Sequence, residues 1–116
     1  MNADGDFGGG GKMKIIKHLV EDIEEELEGA EHYAKLTTQY KDDDRALADV
    51  YAKLAGVELE HVNALHGQVV RIIKEWKATS GKETPAAMQA VWDWEHDKMV
   101  DTAARVKSMI DMYKGL

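Results

Sequence analysis

The sequence predicts an all-α protein, a long antiparallel helical hairpin followed by a third helix. Three observations point there. Apolar residues recur at three- and four-residue spacing along most of the chain from Met13 onward. Good helix formers (Ala, Leu, Glu, Lys and Met) are abundant, against a single Pro and a single Phe. The periodic pattern is broken at only two places, both rich in turn and capping residues. With 116 residues the chain has room for one modest core, and dividing it would leave two too small to stand alone.

The first helix is expected from Met13 to about Lys41. Its apolar stripe is Ile16, Leu19, Ile23, Leu27, Ala30, Ala34 and Thr37, with Val20 and Tyr33 at the edges. Lys41-Asp42-Asp43-Asp44 ends it. Asp43 or Asp44 is a fitting N-cap for the second helix, and three acids suit the positive end of a helix. That second helix is expected from about Arg45 to Lys77, with Leu47, Val50, Tyr51, Leu54, Val57, Leu65, Val69, Ile72 and Trp76 as its stripe. The stretch ATSGKETP breaks it. Gly81 can close the helix, and Thr84 before Pro85 is a cap and first-turn pair. The third helix is expected from Pro85 to about Lys114, with Met88, Trp92, Met99, Ala103, Val106, Ile110 and Tyr113 inward. Residues 1–12 read as a Gly-rich tail without the pattern of a secretory leader, and residues 13–116 as the helical domain.

Bulk chemistry narrows the function. A net charge of −7 speaks against nucleic acid or an anionic membrane as partner. Without cysteine the chain has no disulfide, thiolate metal site or thiol nucleophile. No apolar run approaches the ~18–20 residues that cross a bilayer. A cytoplasmic setting is the default expectation.

The informative feature is which charged residues share the apolar stripes. At about 100° per residue, Glu58 and His61 both fall within ~40° of Leu54, whereas Glu60 falls well outside. A Glu and a His three apart on one helix face can reach a single metal ion. On the first helix most of the acidic run is a solvated face. Glu26 is the exception, about 60° from Ile23 and on the stripe, while Glu24, Glu25 and Glu28 point away. A hairpin turning near Asp42 and Asp43 brings position 26 level with positions 58 to 61, so Glu26, Glu58 and His61 are expected to converge inside it.

These segments carry a resemblance. The stretch Glu25 to Tyr33, with Tyr33 seven residues after Glu26, resembles the first-helix motif of ferritin-like proteins. Leu54 to His61 resembles their Glu-x-x-His helix. The nearest branch is the encapsulated ferritins, with bacterioferritin and rubrerythrin as wider relatives, and the resemblance covers residues 16 to 70. It implies Glu26, Glu58 and His61 as iron ligands, with Glu58 a candidate bridge in a di-iron site. Manganese or zinc would accept the same donors.

The third helix departs from the single-chain ferritin pattern, in which a long crossover joins parallel helices. Eight residues at ~3.4 Å each span under ~30 Å, too short to return along a helix of ~45 Å. The third helix must therefore run back antiparallel to the second, or the second must bend. No second Glu-x-x-His follows. A homo-oligomer, dimer or larger, is then expected to complete a ferritin-like four-helix bundle and the site, two copies supplying two of each ligand. Storage would further need an enclosing shell.

Other readings stand beside this one. Glu-x-x-His is common by chance, and Glu58 and His61 can pair with each other or with lysines across an interface. Glu95, on the third stripe and expected level with about position 67, and His96 beside it are further candidate ligands. His18, His32 and His66 read as surface or interface residues, Tyr33 and Tyr51 as core or as partners of the ligand carboxylates. Trp76 and Trp92 read as packing residues and Trp94 as an outward contact. The functions these readings allow are Fe(II) oxidation for storage or detoxification, a peroxide- or oxygen-scavenging role, or a non-enzymatic helical adaptor without metal.

Overall fold

The computed structural model describes residues 10–81 and 86–115, and all regular structure among them is helical. Three helices follow one another: α1 over Gly10–Tyr40, α2 over Arg45–Ser80 and α3 over Ala86–Lys114. No described helix is long and apolar enough to cross a membrane. A 36-residue helix is about 54 Å long, so α2 sets the long dimension of the 60 × 25 × 17 Å body. The radius of gyration, 17.7 Å, exceeds the about 13 Å of a compact domain of this length.

Local chemistry explains the breaks. The amides of Asp43 and Asp44 both bond to the Tyr40 carbonyl, which closes α1. Asp44 caps α2, its carboxylate accepting from the Leu47 amide at 3.1 Å. Gly81 ends α2 at φ 67°, a left-handed conformation that favours glycine, and its amide bonds the Lys77 carbonyl at 3.1 Å. Two boundaries differ from expectation. α1 already begins at Gly10, and α2 continues three residues past Lys77 because the C-cap sits at Gly81 itself. The expected Thr84–Pro85 cap lies outside the described residues.

α1 and α2 form the antiparallel hairpin, and its seam changes character along its length. Near the turn it is built from small residues, with Ala30, Ala34, Ala48, Ala52 and Ala55 all buried, which lets the two backbones approach. Away from the turn, Ile16, Ile23, Leu27, Val62, Val69 and Ile72 fill it, and Met88 and Met99 of α3 join them. The seam face of α2 is thus offset from the expected stripe. Leu47, Tyr51, Leu54 and Val57 are only half-buried and Val50 is 52% exposed, because the alanines one position away take the contact with α1.

α3 runs back antiparallel to α2, yet it packs along α1 and meets α2 only sparingly. Lys98 reaches Glu24 and Arg105 reaches Glu31, which fixes α3 parallel to α1. The polar and aromatic contacts of α3 with α2 include Trp92 and His96 against His66, and Tyr113 bonded to Asp49 under the Arg45 guanidinium. On α3 the buried positions are Met88, Glu95, Met99, Thr102 and Val106; Trp92, Ala103, Ile110 and Tyr113 are half-buried. By helical spacing, the side of the hairpin away from α3 carries Leu19, Leu36, Leu47, Leu54 and Leu65, which are only half-buried.

Candidate metal centre

The two apolar clusters of the protein meet at the level where α1 carries Glu26 and α2 carries Glu58. On α1 Glu26 stands just before the change from Leu27 of one cluster to Ala30 of the other, and on α2 Glu58 lies between Ala55 and Val62. The hairpin arithmetic therefore places two glutamates opposite each other across one seam. One helical turn beyond Glu58, His61 projects to the same side.

Glu26, Glu58 and His61 offer one donor atom each, and the three atoms lie within 4.8 Å of one another. His61 Nδ1 is 3.2 Å from Glu26 Oε2 and 3.9 Å from Glu58 Oε1. A metal at about 2.0–2.2 Å from each donor separates two donors by at most ~4.4 Å, so the triad needs only a small closure to share one ion. Among the described residues this is the one group of three or more such side chains so placed.

The convergence lies at the edge of the seam rather than inside it. The side chains of Glu58, Glu26 and His61 are 22%, 30% and 52% exposed. The cause is the offset of α2: the seam centres on Ala55 and Val62, so Glu58 stands at its margin and His61 further out. Glu58 owes its position to Gly29. A Cβ there would come within 3.1 Å of Glu58 Oε2, so any larger residue would press the carboxylate a few tenths of an ångström away from α1. Stripe and motif reasoning passes over Gly29, although a glycine inside a long helix is a sign of close approach.

Electrostatics follow from the two facing carboxyls. A hydrogen bond from Glu58, opposed by burial and aided by His61, holds Glu26 below the usual carboxylate range. The same contact with Glu26, with burial, pushes Glu58 up. Glu58 is thus the more readily protonated of the two carboxyls, and a cation between them would relieve their repulsion. Two turns toward the hairpin loop, the Tyr51 ring stacks with Tyr33 at 5.9 Å and with Tyr40 at 6.2 Å.

Glu95 and His96 do not join this group. Glu95 is fully buried, and the charges acting on it are Glu24 and Lys98 rather than the triad. α3 lies on the other flank of α1, so the expected level near position 67 is reached on the wrong side. His96 instead packs its ring against His66 at 5.6 Å and Trp92 at 5.1 Å. Glu24, expected on the solvated face, packs toward α3 instead. His18 and His32 are exposed, and Trp94 is outward at 63% exposure. No family model, curated protein or solved structure matches the chain.

Proposed function

We propose that this chain is a ferritin-like metal-binding protein in which two hairpins pair and complete a carboxylate–imidazole di-metal site that oxidises Fe(II), for iron storage or detoxification. The supporting observation is the meeting of Glu26, Glu58 and His61 from two helices on the side of the hairpin that α3 leaves uncovered. Two carboxylates and an imidazole are donors that iron accepts in both redox states, and manganese or zinc fits them as well. Bound iron would supply electrons to oxygen or peroxide. The chain's own contribution is to hold the donors: Gly29 lies against Glu58, and the facing Glu26 and Glu58 carboxyls offer their charge to a cation that would relieve their repulsion. A second hairpin laid on the uncovered side would cover the half-buried leucines and bring a second triad to the first.

The test uses metal-free full-length chain titrated with Fe(II) under argon, then exposed to air, with mass measured by sedimentation. The expected result is about one iron per chain in a dimer or larger assembly, followed by oxidation faster than in buffer. A well-folded monomer at micromolar concentration that binds no iron rejects the reading.

A second reading has its own observation. The 3.2 Å contact of His61 with Glu26 is an ion pair whenever the imidazole is protonated, and it satisfies the triad without a metal. In that case the chain is a helical oligomer or adaptor. Pairing alone does not separate the two readings, whereas metal content does.

A further inference from the structure

On the other flank of α1 lies a carboxyl group that the proposed centre does not use. Glu95 is 0% exposed, and neither of its carboxylate oxygens receives a hydrogen bond from a donor. The charged groups acting on it are Glu24 from α1 and Lys98 from its own helix; α2 contributes none. Lys98 Nζ stands 3.5 Å from Glu24 Oε1, so this lysine is engaged by Glu24. Ionised carboxylates only accept hydrogen bonds, so two that face each other are joined only when one of them carries a proton. A buried, unpaired carboxylate is among the costliest groups a helix interface can hold.

We propose that Glu95 is a proton-operated latch for α3. With Glu95 protonated, its O–H donates to the Glu24 carboxylate and α3 stays seated along α1. With Glu95 ionised, a buried charge that receives no hydrogen bond faces the part-exposed Glu24 carboxylate, and separation of the helices returns Glu95 to water. α3 is the element that can part because it is held mainly by α1 and touches α2 sparingly. Burial, and then Glu24, push Glu95 up to about 7 from its ordinary 4.5, Lys98 opposing. In the separated form Glu95 ionises near 4.5 and in the docked form near 7, so docking is at full strength below about pH 4.5 and weakens as pH rises toward 7. The docking equilibrium falls on the order of a hundredfold across that window and is level above it.

Hydrogen–deuterium exchange of the α3 amides, measured on the full chain without metal from about pH 5 to about pH 8, tests the latch. Comparing the parent with Glu95→Gln at each pH cancels the intrinsic pH dependence of exchange. The parent is expected to lose α3 protection relative to Glu95→Gln as pH rises, with α1 and α2 less affected. Glu24→Gln is expected to shrink the loss, since its amide can donate to an ionised Glu95. Should Glu95→Gln fail to fold, Glu24→Gln against the parent carries the test alone. Parallel pH profiles in all folded variants would overturn the latch, whatever the outcome of iron binding.

Discussion

Two pairs of glutamates face each other across helix seams in this protein, and they differ by two positions on α1. Glu26 meets Glu58 of α2, and Glu24 meets Glu95 of α3. In each pair the glutamate facing α1 is pushed up, Glu58 by the facing carboxyl and then burial, Glu95 by burial and then the facing carboxyl, while Glu26 is lowered. The difference lies in what else can reach them. Glu58 is 22% exposed and has an imidazole within 3.9 Å, whereas Glu95 is sealed and has only Glu24 and, beyond it, Lys98. The same two functional groups thus make an open pair, which on the proposed function takes a metal ion, and a closed pair, which on the proposed latch loses its proton only with the loss of a helix contact.

The sharpest separation comes from the open pair. Glu58→Ala, His61→Ala and Glu26→Ala are each expected to abolish tight metal binding while leaving the far-UV circular dichroism unchanged. Glu25→Ala, on the solvated face, should bind like the parent, since screened charges far from the ion contribute little. Equal losses in Glu25→Ala and Glu26→Ala would reduce the open pair to a diffuse acidic surface. Protons and metal compete for the Glu58 carboxyl, which Glu26 and burial push up, so binding is expected to release protons and tighten as pH rises. Calorimetry in two buffers of different ionisation enthalpy reads that release.

The closed pair is the next largest. Glu95→Leu exchanges a buried, unpaired carboxyl for a hydrocarbon of similar length and should stabilise the fold by about 1–3 kcal/mol near neutral pH, read as a higher Tm. A fall in Tm would mean that the carboxyl is satisfied by something other than its proton. Gly29→Ala probes the space behind Glu58. The added methyl crowds Glu58 Oε2, so metal affinity should drop about tenfold. Alanine also favours a helix by about 1 kcal/mol, so Tm should hold or rise as affinity falls. Loss of both together would point to a packing defect instead. Smallest of all is the exposed ion pair of Arg105 with Glu31 at 2.7 Å. Arg105→Ala should lower Tm by about a degree or two at low salt and by less at high salt.

Much of this architecture was legible in one dimension. An Asp at 43 or 44 as N-cap and Gly81 as C-cap are local backbone chemistry that the sequence carries without reference to any neighbour, and the structure takes Asp44. The height match of Glu26 with Glu58 and His61 is also local arithmetic, since equal rises along two antiparallel helices from one short turn bring those positions level. Three decisions belonged to the tertiary structure. Hydrophobic ranking centres the α2 stripe on Leu54, yet the seam runs through Ala48, Ala52 and Ala55, because small side chains let the helices close and push the leucines to the margin. That shift moves His61 from the interior to the open side of the hairpin. The partner of α3 was the second, for a helical period tells which face is apolar but not which neighbour it meets; α1 took it, and so Glu95 met Glu24 rather than the triad. Gly29 was the third, since the need for an absent side chain becomes visible only when a carboxylate from another helix occupies its place.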